Sequence, residues 1–139
     1  MAMRRFLCLV LLLGLMGPLS AGTPAPANAN LYLISPAHGE AVHNPITVRF
    51  GLKGMGVAPV GVAKPNTGHH HLLIDLSEPP PLGQPLPKDE QHMHFGGGET
   101  ETILELSPGK HTLQLLLGDG NHIPHDPPVM SERITITVE

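Results

Sequence analysis

Glycine or proline occupies nearly one position in four of this chain, 16 of each among 139 residues. That punctuation limits what the chain can fold into. Proline inside a helix removes a backbone donor, and glycine there costs about 1 kcal/mol. After the N-terminal apolar run, no helical i, i+3, i+4, i+7 pattern survives for ten residues. What survives is short, alternating and β-branched: 31–34 (LYLI), 46–50 (ITVRF), 69–76 (HHHLLIDL), 100–106 (TETILEL), 110–117 (KHTLQLLL) and 133–138 (RITITV), with 92–95 (HMHF) as a further short strand. Such strands, separated by turn residues, predict an all-β fold, specifically an antiparallel β-sandwich. Apolar residues at 40% and charged residues at 14% give enough hydrophobic surface to close a core, which argues against disorder.

Side chains alternate across a strand, so parity assigns faces. Four triplets form the expected core: Ile46/Val48/Phe50, Leu72/Ile74/Leu76, Leu113/Leu115/Leu117 and Ile134/Ile136/Val138. Ser107-Pro108-Gly109 joins segments 100–106 and 110–117 closely, which predicts a hairpin. Residues 54–68 read as a long connection. Residues 77–91 carry five prolines and read as an extended, partly polyproline loop.

The first residues read differently. Arg4 and Arg5 precede an eleven-residue apolar run, Phe6 to Met16, followed by small residues and two A-x-A matches within 25–29. This is the pattern of a secretory signal peptide, too short for a stable bilayer span. The expected organisation is a leader over 1–27, cut within 21–29, and one β-sandwich domain over 28–139, periplasmic or secreted, with no membrane anchor after cleavage. Cys8, the single cysteine, lies inside the leader. The processed chain would then have no thiol, which excludes disulfides, thiolate zinc sites and blue-copper sites. Loss of Arg4 and Arg5 shifts the formal charge from −4 to about −6, with no basic patch for nucleic acid or anionic lipid.

Ten histidines in so short a chain are its chemical signature. His69-His70-His71 lies on a strand. By parity His70 faces the core with Leu72, while His69 and His71 face away from it. An H-x-H pair sets two imidazoles about 6.5–7 Å apart along the strand, from where both can reach one ion. His92 and His94 form a second such pair, and His122 and His125 bracket a Pro-stiffened loop. Met130 offers a thioether. The candidate ligands are therefore His69, His71, His92, His94, His122, His125 and Met130. His38, His43 and His111 read as ordinary surface or strand residues. Imidazole suits zinc, copper and nickel, and thioether selects Cu(I), so a copper or zinc ion is expected, copper first. Calcium and magnesium need oxygen ligands that do not cluster here.

Three functions follow. The leading one is a non-catalytic metal-binding module, with the ion as partner and a periplasmic protein as a second partner. An enzyme, either a metal-dependent oxidoreductase or a hydrolase, would need an acid or base from Asp75, Glu99, Asp119 or Asp126, none of diagnostic spacing. An interaction module would use the histidines structurally. Convergence of the three His motifs within about 5 Å of a common point favours metal, given bonds of about 2 Å; dispersal favours the interaction module.

Two stretches, SPAHGEAVHNPITVRF and LSPGKHTLQLLLGD, resemble the first hairpin and penultimate strand of bacterial immunoglobulin-like modules. GHHHLLID, HMHFGGGETE and PGKHTLQLLLGDGNHIPHDPPVMSERITI, in that order, resemble the exported bacterial DUF4399 family over roughly 31–139. The resemblance implies a small exported domain whose motifs include His69, His70, His71, His92, His94, His122, His125 and Met130; it implies no activity. Periplasmic copper chaperones and copper–zinc superoxide dismutases share His-bearing β folds, but their ligand spacing and, in the dismutases, their disulfide are not reproduced.

Overall fold

The structure is a computed structural model that describes residues 22–139. The leader expected over 1–27 falls mostly outside the described residues, so its identity rests on sequence alone.

Nine strands and no helix occur among the described residues: β1 (Asn30–Ser35), β2 (Ala41–Val42), β3 (Ile46–Lys53), β4 (Gly56–Val57), β5 (Thr67–Ile74), β6 (His92–His94), β7 (Glu101–Leu104), β8 (Gly109–Gly118) and β9 (Ile134–Val138). They form two sheets. One is three-stranded and antiparallel, in the order β1-β3-β7. The other is mixed, in the order β2-β9-β8-β5-β4, with β6 also paired to β5. In the larger sheet β2 runs parallel to β9 and β4 parallel to β5; the other pairs are antiparallel.

One core lies between the sheets. Ile46, Val48 and Phe50 of β3 meet Leu72 and Ile74 of β5, Leu113, Leu115 and Leu117 of β8, and Ile134, Ile136 and Val138 of β9. Fully burying one such side chain stabilises by about 1.5–3 kcal/mol, so these residues dominate the fold's apolar stabilisation. Leu76 departs from its expected triplet. β5 ends at Ile74, and Asp75 takes a φ of 56°, which breaks the alternation. Leu76 instead packs half-buried on a second cluster of Leu73, Leu86 and Leu116.

The expected hairpin of 100–106 with 110–117 is corrected by the structure. β7 pairs with β3 in the small sheet, while β8 lies between β5 and β9 in the large one. Both edges of β8 are already taken, so β7 has nowhere to pair there, and residues 105–108 carry the chain from one sheet to the other. The first hairpin-like phrase behaves similarly. β1 pairs with β3, and the intervening β2 leaves to join β9.

The outward face of β5 and β8 is not left to water. The second leucine cluster and the connections after β5 and β8 cover it, so every residue from Gly68 to Ile74 is buried. The histidines of β5 therefore lie inside the protein whichever way they point.

Candidate metal centre

His70 points into the main core, its ring centroid 5.1 Å from that of Phe50. His69 and His71 point to the other side, at 0% and 1% exposure. Strand register then selects a third imidazole. β6 runs antiparallel to β5 with His94 opposite His71 and His92 opposite Leu73. This brings His94 against the pair and leaves His92 two residues further along.

A loop supplies the fourth. His122 has a φ of 65°, a left-handed conformation that costs a non-glycine residue roughly 1–2 kcal/mol. Asp119 holds it there. Its Oδ1 accepts the amides of Asn121 at 2.8 Å and Ile123 at 3.0 Å, and its backbone carbonyl accepts that of His122 at 2.9 Å. Thr23 Oγ1, which lies within the expected 1–27 leader and is kept only by a cut before it, donates to the other carboxylate oxygen at 2.6 Å. These hydrogen bonds hold the Asp119 carboxyl below its usual range despite the opposing effect of burial. The His122 carbonyl accepts the Leu86 amide at 2.9 Å, which ties the proline-rich loop to the same place.

His69, His71, His94 and His122 each bring one ring nitrogen to a common point, all within 4.8 Å of one another. Ring centroids lie 4.6 Å apart for His94 and His122 and 4.7 Å for His69 and His71. His69 Nε2 and His122 Nδ1 are 3.3 Å apart. A tetrahedral ion with bonds of about 2.0–2.1 Å has ligand nitrogens about 3.3 Å from each other, so this edge already has the length that coordination requires. Buried ring nitrogens without a hydrogen-bond partner include His69 Nδ1, His71 Nδ1 and His94 Nε2. Such a group costs about 1–3 kcal/mol if nothing satisfies it.

Glycines make the room. A Cβ on Gly118 would lie 2.7 Å from His71 Cε1, and one on Gly96 would overlap the His94 ring. The electrostatics suit a cation ligand set. Burial, then repulsion from His94 and His122, pushes His69 down to about 4. Burial, then His69, His94 and His122, pushes His71 down to about 3. His94 is lowered by burial, then by His122 and Lys88. Near neutrality these rings keep their lone pairs free, the form that binds metal. A cavity of about 200 Å³ opens beside the cluster, lined by His71, Leu86, Pro87, Lys88, His94 and His122.

The other candidate ligands lie elsewhere. His92 Nδ1 is 2.8 Å from Asp89 Oδ1. His125 is buried, and its Nε2 lies 3.1 Å from the Thr67 carbonyl, pinning the loop after β8 to the start of β5. Met130 bridges Leu116 and packs on the second leucine cluster. Met93 packs against the main core. His111 lies 2.7 Å from Asp75 Oδ2 and 2.8 Å from the Ser107 carbonyl, and the Asp75 bond raises its pKa.

Sequence offers Asp119 only as a candidate acid or base and Gly96 as a turn glycine open to close approach, and it does not single out Gly118. Asp119 lies in Asp-Gly-Asn, an Asx-turn composition directly before His122, and that was the available signal.

A family model described as "Domain of unknown function (DUF4399)" matches residues 48–139, from within β3 to the end of β9 and including all four clustered histidines. No curated protein and no solved structure matches the chain.

Proposed function

The chain belongs to the DUF4399 family, and on that premise we propose that it is an exported, non-catalytic metal-binding module whose ligands are His69, His71, His94 and His122. The observation that carries this reading is the convergence of three separate histidine motifs, with donor atoms within 4.8 Å of one another, two of the rings buried and two half-buried.

The donor set is four imidazoles, with no thiolate or carboxylate among them, and Met130 packs on the second leucine cluster. The case for copper therefore rests on the affinity order for nitrogen ligands, in which Cu(II) exceeds Zn(II), and zinc is second. The leader-like N-terminus supports a periplasmic or secreted location. Two sheets enclosing one core support an immunoglobulin-like reading of the sandwich.

The test is titration of Cu(II) and Zn(II) into the untagged, metal-free protein. One ion per chain, bound at micromolar affinity or tighter and lost in His69→Ala and His71→Ala, is the expected result. Binding no tighter than millimolar would end the proposal.

A further inference from the structure

A divalent ion held by four neutral imidazoles, two buried and two half-buried, gains no charge compensation from its own ligands. Nothing lining the adjoining cavity offsets its charge. The cavity walls are His71, His94, His122, Leu86, Pro87 and Lys88, with no carboxylate and one further cation. Asp119 and Glu99 act on His69 and His94 through their charge, but neither lines the cavity. Asp119 accepts the amides of Asn121 and Ile123, and Glu99 accepts the Gly97 amide at 2.9 Å, so both carboxylates are fixed outside the cavity. On its cavity side the ion would face no carboxylate, which leaves that side to an anion from solvent.

The geometry says from which side. His69 does not line the cavity, whereas the other three clustered histidines do. The cavity therefore meets the cluster on its His71–His94–His122 side. Its volume, about 200 Å³, is below the ~300–1,000 Å³ of sites for larger organic ligands. Leu86 and Pro87 give it an apolar wall, and the exposed Lys88, whose charge acts on His94, also lines it. These walls suit a ligand with one negative end and a short hydrocarbon end.

We propose that a small organic carboxylate enters this cavity and binds the metal directly on its His71–His94–His122 side, with its charge matched by Lys88. The proposal rests on the metal-binding reading above. The site would then deliver or hold its ion as a ternary complex with a small acid.

The experiment uses the whole protein, loaded with Cu(II) and measured for copper content before anything else is added. Azide is titrated in while the azide-to-copper charge-transfer absorption is followed, and propionate is then used to displace it. Saturable azide binding, displacement by propionate, and an affinity about tenfold weaker for both in Lys88→Met at unchanged copper content are expected. Copper bound at one per chain with no azide absorption, azide that propionate does not displace, or a Lys88→Met protein that titrates like the parent would overturn the anion site while leaving the metal site standing. A chain that takes up no copper at all would overturn both, and the first measurement would show it.

Discussion

Replacing Gly118 with alanine tests the site through a single methyl group. Gly118 ends β8, and its added Cβ would stand 2.7 Å from His71 Cε1, 3.2 Å from His71 Nδ1 and 3.5 Å from the His122 Cα. Carbon atoms in ordinary contact lie about 3.5–4.0 Å apart, so the His71 ring must retreat by about 0.8 Å. Metal–nitrogen bonds tolerate shifts of only about 0.2 Å. The expected effect is a 10- to 100-fold loss of Cu(II) or Zn(II) affinity, or about 1.4–2.7 kcal/mol. Overpacking should also lower the stability of the metal-free fold by about 1–3 kcal/mol. The assay is competition against a chromophoric chelator, paired with urea unfolding of the metal-free protein. Gly56→Ala is the control, because its Cβ meets only Thr67 Cγ2 at an ordinary 3.5 Å. A folded Gly118→Ala protein that binds metal as tightly as the parent would refute the assignment of His71 as a ligand.

Other consequences follow from the same geometry. His69 and His71 titrate near 4 and 3 when folded against an ordinary 6.5, so as pH falls below about 6.5 the unfolded chain takes up protons that the folded one refuses. Stability of the metal-free protein is therefore fully present above that pH and should fall by about 2 kcal/mol between pH 6 and 5; urea midpoints across that range read it, and a flat profile would count against burial of these rings. Asp119→Ala removes the acceptor for two loop amides and should cost about 1–2 kcal/mol, together with roughly tenfold in metal affinity, measured by the same unfolding and competition assays. His70→Leu replaces a core imidazole whose one backbone partner is at Glu99, so stability should change by no more than about 1 kcal/mol with metal affinity unchanged; calorimetric melting and titration check both. His92→Ala and Met130→Ala, outside the cluster, should each leave metal affinity within about threefold, and a tenfold loss in a titration would place either residue at the ion.

Parity was informative wherever a strand had one face committed to the core. It placed Ile46, Val48, Phe50, Leu72 and Ile74 correctly, and it separated His70 from His69 and His71. It could not say which sheet a strand joins. β7 and β8 are close in sequence yet lie in different sheets, because pairing depends on which edges remain open, a property of the whole fold. The two-residue strands β2 and β4 leave too little pattern to read.

The same distinction runs through the site. His92 and His94 are equivalent by spacing. Only the register of β6 on β5, which sets His94 opposite His71, distinguishes them. His122 and His125 are equally ambiguous in sequence. The left-handed backbone at His122, held by Asp119, turns one into the cluster, while His125 closes on the Thr67 carbonyl. Sequence thus showed which histidines were available, and long-range register and one strained turn decided which of them meet.

The most direct test of the central claim is X-ray absorption at the metal edge of the loaded protein. The account predicts four imidazole rings with nitrogen at about 2.0–2.1 Å and no sulfur shell. A sulfur scatterer near 2.3 Å, or a coordination sphere dominated by oxygen with fewer than three imidazoles, would contradict it.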